Sequence, residues 1–471
     1  MDYTKLYING EWIPSASGYY IEVENPATLK KFAKVPAGNE VDVDKAAQAA
    51  YHAFPAWSAL PLADRIALME KFLTIFKSQE DALIDITIQE LGSPYTFTKA
   101  SQVEYQYVRT RSYIDLASQV PLVEKMPQST TYREPIGVIG CITPWNYPLG
   151  QVIQKIIPAL LMGNTVILKP SQHTPLSPYF LADAFEKAGF PKGVFNLVTG
   201  RGGEVGNALS SHPLVHMISF TGSTTGGITV AKKALESVKH ISLELGGKSP
   251  YVILPSADHN YEAPIRLCFN SIFLNSGQTC TAFSRLLIPK SEKEIIEKQL
   301  LSIVKEYTVG DPTDHTVKLG PVSSLQQFRK ISEYIQKGID EGATLLTGNL
   351  PAAPDQGYYI HPVIFTDVDN HMTIAQDEIF GPVLCVITYK DEEEAIAIAN
   401  DTRYGLNAGV YGDKEKAIAV AHRIQAGNVY INKGPRDTAA PFGGYKESGL
   451  GREGGIYGMI EFTQQKALFD K

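Results

Sequence analysis

The sequence predicts an α/β protein of two lobes, each built on a largely parallel sheet. Three observations predict it. From Tyr132 to Leu254, short apolar β-rich runs alternate with helical stretches. A second alternating block of similar size runs from about Gly246 to Ile431. Strand–helix alternation at this spacing argues for parallel sheets covered on both faces, which take ligands beyond the carboxyl ends of their strands. The chain has 471 residues, 44% of them hydrophobic and 20% charged, enough for two or three domains with real cores and a cleft between lobes.

The elements follow in order. Leu6–Ile8 and Glu11–Ile13 flank Asn9-Gly10, a two-residue hairpin signal. Asp42 to Trp57 reads as a helix with Val43, Ala46, Ala47, Ala50 and Phe54 on one face and Asp42 as its N-cap. A second helix follows Asp64, and a third runs from Glu80 to Leu91, where Gly92 and Pro94 stop it. Val120–Glu134 is polar, proline-bounded and β-leaning, and with the tail after Phe462 could form an arm outside both lobes. The first block offers strands at Ile136–Ile142, Thr165–Leu168, Val194–Val198, Met217–Phe220 and Ile241–Leu245. Its helices fall near Leu149–Leu161, Ser177–Ala188, Glu204–Leu209 and Ile228–Glu236. The second block offers strands at Tyr251–Leu254, Arg285–Ile288, Val383–Ile387, Ala408–Tyr411 and Asn428–Ile431, with helices near Ile295–Glu306, Leu325–Glu341 and Glu392–Asn400.

Bulk properties narrow the function. A formal net charge of −7 argues against a phosphate-backbone partner. No run approaches the length of a spanning helix, and Met1–Lys5 has no apolar leader, so the expectation is a cytoplasmic protein without a membrane partner. The four cysteines, Cys141, Cys268, Cys280 and Cys385, lack metal-ligand or redox spacing, so no metal is expected. Cys141, Cys268 and Cys385 sit in apolar runs that core packing explains; Cys280 does not.

Chemistry could sit at several places. Asn275-Ser276-Gly277-Gln278-Thr279-Cys280 puts a thiol after a glycine-bearing turn, where backbone N–H groups can meet an oxyanion. A small buried residue is the alternative. Pro144–Pro148 is a stiff loop whose Asn146 offers a side-chain donor, or simply a hydrogen-bonded turn. Glu244 lies in an apolar strand before two glycines; burial would raise its pKa and suit it to general-base work, unless a lysine pairs with it. Phe220-Thr221-Gly222-Ser223 ends a strand and opens a helix, and could cradle a pyrophosphate or be an ordinary turn. Gly200–Gly206, which includes Gly202, approaches a dinucleotide fingerprint in composition but not in spacing. Lys169, at a strand's carboxyl end, could reach a ribose or phosphate; Glu378 and Phe380 could hold a ribose and pack on a ring. A thiol, an amide donor, a carboxylate base and a dinucleotide cradle together match oxidation of an aldehyde through a thiohemiacetal and a thioester.

On these stretches, in this order, the chain resembles the aldehyde dehydrogenase superfamily of NAD(P)-dependent, non-phosphorylating, hydrolytic enzymes. The resemblance runs from the hairpin near Asn9 to Phe462–Lys466. It implies that Cys280 is the nucleophile, that Asn146 and the Cys280 N–H form the oxyanion hole, and that Glu244 activates water. It implies further that Lys155 and Glu453 relay protons, and that Lys169, Gln172, Gly202, Gly222, Ser223, Trp145, Glu378 and Phe380 hold NAD or NADP. Tyr147, Thr279, Thr281 and Phe442 would line the aldehyde tunnel. The implied fold has a Rossmann-like cofactor domain (1–119 and 136–246), an α/β catalytic domain (247–440), and a β-rich oligomerisation arm with the C-terminal segment (120–135 and 441–471). The implied assembly is a homodimer or homotetramer.

Three departures stand out. Gln172 occupies a position where NAD-preferring members usually carry glutamate, which opens the site to NADP. The segment between Glu244 and Cys280 is slightly longer than usual. The loop Lys433–Ala440 is short and charged; Lys433 and Arg436 there could favour semialdehydes, or could simply be solvated. Competing readings are a coenzyme-A-acylating relative or a glutamyl-phosphate reductase, both of which Glu244 disfavours, and a catalytically silent binding or structural relative.

Overall fold

The computed structural model describes residues 2–469. Its first sheet has eight strands, in the order Glu11–Ile13, Leu6–Ile8, Phe195–Leu197, Thr165–Lys169, Val138–Ile142, Met217–Thr221, His240–Glu244 and Gly449–Leu450. The run from Phe195–Leu197 to His240–Glu244 is parallel; the pairings outside it are antiparallel. From Val138–Ile142 the chain builds outward on one side, then returns to the other side at Met217–Thr221. That reversal opens a crevice at the carboxyl ends of these two strands, where sheets of this kind take ligands.

The strands read as continuous apolar runs because helices cover both faces. Val166 and Leu168 pack into one core with the helices Gly150–Leu161 and Ser177–Ala188. Ile167, between them, points into the other core, with Val43, Ala46, Ala47 and Ala50 of the helix Glu40–Ala59. This helix is capped by Asn39, whose side chain accepts from the N–H groups of Val41 and Asp42. The expected cap, Asp42, instead completes the capping box from inside the helix by accepting from the Asn39 N–H. Ser15 Oγ and the Ala16 N–H claim the same carboxylate, which draws Asp42 inward.

The second sheet has seven strands, ordered Thr344–Thr347, Val363–Thr366, Val383–Tyr389, Phe283–Pro289, Ser249–Ile253, Asn407–Tyr411 and Asn428–Ile431. Only Thr344–Thr347 is antiparallel. A separate antiparallel sheet joins Val123–Lys125, Thr130–Pro135 and Thr463–Leu468. Several elements lie outside the sequence expectations: the hairpin Tyr20–Asn25 with Lys30–Pro36, the helices Tyr105–Leu116 and Glu262–Ile272, the edge strand Thr344–Thr347 and its neighbour Val363–Thr366. The helix expected at Ile228–Glu236 spans Thr224–Leu235, because Ser223 caps it a turn earlier. The Asn9-Gly10 turn has φ of 55° and 72°, as a type I′ hairpin requires.

The two large sheets meet end to end. Residues after strands of the first sheet (Pro144–Asn146, Gly222, Gly246) and residues before strands of the second (Cys280, Phe380) line one cavity. No helix among the described residues is long and apolar enough to cross a membrane. No group of three or more His, Cys, Asp or Glu among them could hold a metal.

Candidate active site

The turn before Cys280 takes three left-handed residues in succession: Asn275 (φ 55°), Ser276 (φ 54°) and Gly277 (φ 74°). Such a run is costly for side-chain-bearing residues and needs outside support. Ser276 Oγ donates to the Gly320 carbonyl at 2.7 Å, and Asn275 Nδ2 to the Asn146 carbonyl at 3.0 Å. Gly277 has a packing reason as well. A Cβ there would stand 2.1 Å from the carbonyl carbon of Gly381, so the turn lies directly on the backbone after Phe380. Gly247 is similar, since a Cβ there would stand 2.4 Å from the Cys280 carbonyl oxygen.

The same network fixes Asn146. This buried side chain donates from Nδ2 to the Gln278 carbonyl at 2.9 Å, while Gln102 Nε2 donates to its backbone carbonyl at 3.0 Å. An amide carries two N–H groups, so one remains for a ligand. Gln278 is itself tied down, donating to the Asn275 carbonyl and accepting from the Ser323 N–H. The Cys280 N–H has no acceptor among the described residues. Asn146 and Cys280 line the same cavity, so a ligand there could meet both donors.

Cys280 is half-buried, whereas Cys141, Cys268 and Cys385 are buried. Its thiol is pushed up to about 12, first by burial and then by the Glu378 and Glu244 carboxylates; Arg436 pulls the other way. Thiolate formation here therefore calls for a nearby positive charge or a base. Cys280 also lines two cavities. One, of about 240 Å³, is walled by Phe97, Tyr105, Arg109, Tyr147, Arg436 and Phe442, among others. The other, of about 150 Å³, is walled by Trp145, Asn146, Gly222, Ser223, Glu378 and Phe380, among others.

Glu244 is 2% exposed, and neither carboxylate oxygen has a partner. Burial raises its pKa well above the usual carboxylate range; the Glu453 charge adds to this and Lys155 opposes it. The Lys155 ammonium donates to Glu453 Oε1 at 2.5 Å, with both side chains buried. Glu453 Oε2 has no partner. Three titratable groups thus share one dry pocket. The lysine reading of Glu244 fails, because Lys155 pairs with Glu453 instead and Lys248 makes no bond to it.

The smaller cavity carries donors of the kind that a part of a dinucleotide could use. It ends on the N-terminus of Thr224–Leu235, a 12-residue helix, and Thr221 Oγ1 in its wall is buried without a partner. Ser223 is the N-cap, its hydroxyl accepting from the Gly226 N–H at 3.1 Å. Glu378 Oε1 accepts from the Gly247 N–H at 2.9 Å, and a Cβ on Gly246 would stand 2.5 Å from Glu378 Oε2. Phe380 holds φ of 63°, unusual for an aromatic residue, and its ring meets Trp145 edge-on at 5.3 Å. Lys169 is buried, makes no ion pair among the described residues, and is pulled down to about 8 by burial.

Tyr147, Thr279, Thr281 and Phe442 all line the larger cavity, and Tyr147 Oη bonds Thr279 Oγ1 at 2.8 Å. Trp145, Gly222, Ser223, Glu378 and Phe380 line the smaller one. Lys169, Gln172 and Gly202 lie outside both linings, farther along the strand ends of the first sheet. Gly202 sits in an exposed turn where a Cβ would meet nothing within 4 Å, so no close approach accounts for it. Lys433 is exposed and lines neither cavity, unlike Arg436. Sequence reasoning missed Gln102, Asn275 and Gln278, which orient the donors, and Tyr105, Arg109, Gln151 and Gln154 in the larger cavity. Gln151 and Gln154 stand three apart on the helix Gly150–Leu161 that follows the Asn146 loop, which was a usable signal.

The model of the aldehyde dehydrogenase family matches residues 12–468. A Staphylococcus aureus relative, itself assigned as an aldehyde dehydrogenase only provisionally, is 45% identical, covering 99% of this chain and 98% of its own. A solved mutant of aldehyde dehydrogenase C from Pseudomonas syringae, complexed with NAD+ and octanal, is 40% identical with a TM-score of 0.97, covering 99% of this chain and 96% of that one. The Mycobacterium tuberculosis aldehyde dehydrogenase complexed with NAD+ is 39% identical with a TM-score of 0.96, covering 100% of this chain and 99% of that one.

Two expectations follow from the geometry. Gly277→Ala should lower both thermal stability and iodoacetamide labelling of Cys280, because the turn must leave Gly381; an unchanged melting curve with unchanged labelling would contradict the contact. Glu453→Gln should let Glu244 ionise at lower pH, since a like charge disappears while Lys155 stays. Infrared difference spectra against Glu244→Gln measure this, and an unchanged or higher midpoint would contradict the coupling.

Proposed function

The chain belongs to the aldehyde dehydrogenase family, and from that premise we propose that it oxidises an aldehyde to a carboxylic acid through a thioester on Cys280, with NAD or NADP as hydride acceptor. The observation that carries this reading is that one half-buried thiol borders two cavities of different chemistry. The Pseudomonas syringae relative holds NAD+ and octanal together, which supports a dinucleotide on one side and an aldehyde on the other. By the same reading, residues 1–119 and 136–246 form the cofactor domain and 247–440 the catalytic domain. The three-stranded sheet belongs to an arm joining two or four copies.

The aldehyde enters past Tyr147 and Phe442. Cys280 Sγ adds to its carbonyl carbon, and the oxygen takes up negative charge facing the Cys280 N–H and Asn146 Nδ2. These donors act in a water-poor wall and need no reorganisation as the charge develops. Bound NAD(P) supplies the hydride acceptor and, when oxidised, a positive ring charge beside a thiol that otherwise faces two carboxylates. Glu378 orients the cofactor's ribose from a position held by Gly247, and Phe380 packs from its left-handed backbone. Loss of hydride from the tetrahedral carbon would leave the thioester; Glu244 then takes a proton from water, which attacks the thioester carbon, and the C–S bond breaks to release the acid and return the Cys280 thiolate. Its raised pKa makes it a stronger base once ionised, so hydrolysis speeds up as pH rises through that pKa. Lys155 and Glu453 carry the proton onward.

Cys280→Ala should abolish aldehyde oxidation while cofactor still binds; turnover above a trace would exclude Cys280 as the nucleophile. Glu244→Gln should give a burst of reduced cofactor near one per site and then slow turnover. Loss of burst and turnover together would mean that Glu244 also deprotonates the thiol.

Cofactor choice turns on Gln172, an uncharged side chain three residues beyond the unpaired Lys169. Without a carboxylate to repel a 2′-phosphate, both cofactors should be accepted, with a preference below about a hundredfold, since one charge–charge interaction is worth a few kcal/mol at most. Gln172→Glu should raise KM for NADP selectively; an unchanged NADP/NAD ratio of kcat/KM would place the discrimination elsewhere.

A further inference from the structure

The wall of the larger cavity holds a positive charge that no carboxylate among the described residues bonds. Arg109 is 9% exposed, and its Nη1 donates to Gln106 Oε1 at 2.8 Å and to the Gly150 carbonyl at 3.1 Å. A guanidinium has five N–H donors, so Nε and Nη2 keep theirs uncommitted. Arg436, from the exposed loop at the mouth, lies 5.5 Å from the Tyr105 ring centroid, and Arg109 lies 5.1 Å from the same centroid. Among the described residues, neither guanidinium has a carboxylate partner. Of the nearby acids, Glu453 pairs with Lys155 through Oε1 at 2.5 Å and acts on Arg109 only through its charge, Glu104 stands beside Lys99 at 3.9 Å, and Asp437 accepts from the Ala439 N–H at 2.8 Å. Burial lowers Arg109 to about 10, and the Arg436 charge adds to that. A buried, unpaired cation is costly unless something of opposite charge arrives.

We propose that the substrate carries an anionic group beyond its aldehyde, of the class of short ω-oxo carboxylates, and that Arg109 and Arg436 receive it. This rests on the aldehyde oxidation proposed above and names its substrate class. The charged pair borders the cavity that Cys280 also borders, so one molecule can place its carbonyl on the thiol and its carboxylate on the guanidinium fork. A volume of about 240 Å³ bounds the length. At the share taken by benzene in an engineered apolar cavity, this is room for about ten heavy atoms. The remaining wall favours a polar guest too, because Gln151 Oε1 is buried without a partner and Ser101, Gln106 and Gln154 stand beside it. A long alkyl chain would strip these groups of water and return nothing. The sequence placed this role on Lys433 with Arg436; the structure replaces Lys433, on the outside of the loop, with Arg109 in the wall.

The test compares kcat/KM for 4-oxobutanoate, methyl 4-oxobutanoate and pentanal with NAD. Wild type should prefer the acid over its ester by about tenfold or more, mainly through KM, as a charge-assisted fork predicts. Arg436→Gln and, separately, Arg109→Lys should each cut that ratio several-fold, whatever they do to the ester. Arg436→Gln lies on an exposed loop, so it remains informative if Arg109→Lys folds poorly. Succinate should protect Cys280 from iodoacetamide in wild type and protect it less in Arg436→Gln. Equal efficiency on acid and ester, or a ratio unchanged in the variants, overturns the proposal and leaves aldehyde oxidation standing. Oxidation of none of the three overturns both.

Discussion

Everything at the site depends on backbone touching backbone. The turn at Gly277 rests on Gly381, the strand end at Gly247 rests on the Cys280 carbonyl, and Gly246 leaves room for the Glu378 carboxylate. A fourth glycine, Gly443, faces Glu244, where a Cβ would stand 2.9 Å from Oε1. Side chains between these segments would separate them by several ångströms. Without them, the end of the first sheet and the start of the second share one rigid junction. The Cys280 turn, Asn146, Glu244 and Glu378 are then held at fixed distances by this junction together with the side-chain bonds of Gln102, Asn275 and Ser276, the arrangement a preorganised site needs.

Electrostatics sorts the functional charges from the structural ones. Arg285 is fully buried, yet it donates to the Lys248, Ile398 and Ala399 carbonyls and to Asn370 Oδ1, so it locks loops together and asks for no ligand. Glu244 and Lys169 are buried to a similar degree with no ionic partner, and Arg109 uses only one of its nitrogens. A charge removed from water and left uncompensated lowers stability, and such groups cluster where binding or chemistry supplies the compensation. Here Arg109 stands in the wall of the larger cavity that Cys280 also borders, while Glu244 and Lys169 lie outside both linings.

Much of this was legible in the sequence, for identifiable reasons. Parallel strands buried on both faces appear as unbroken apolar runs, so Thr165–Lys169 and Val383–Tyr389 were found with small errors at their ends. Glycine before Cys280 announced a turn, though not the close backbone approach it makes, and an isolated carboxylate in an apolar strand announced Glu244. Other features were hidden. The helix Tyr105–Leu116 mixes buried Gln106, Arg109 and Thr110 with apolar residues, so it has no clean stripe, and Arg109 went unnoticed with it. Asp42 looked like a cap because only tertiary contacts from Ser15 and Ala16 draw it inward. The Lys155–Glu453 pair spans 298 residues of sequence, and no local pattern reveals a contact that distant. Resemblance suggested it; the geometry supplied the bond.

The placement of one sulfur between two cavities has a kinetic meaning. Ligands that approach a reactive atom from opposite sides do not queue. On the chemistry proposed above, a spent dinucleotide could leave by its own door while an acyl group still occupies the other, and a fresh one could take its place before hydrolysis. Traffic on one side then depends on the other only through what the shared wall transmits: Asn146, the Cys280 main chain, and the carboxylates that set the charge around them. Release and hydrolysis become separable clocks, and either can set the pace of the cycle without a change in the chemistry at sulfur.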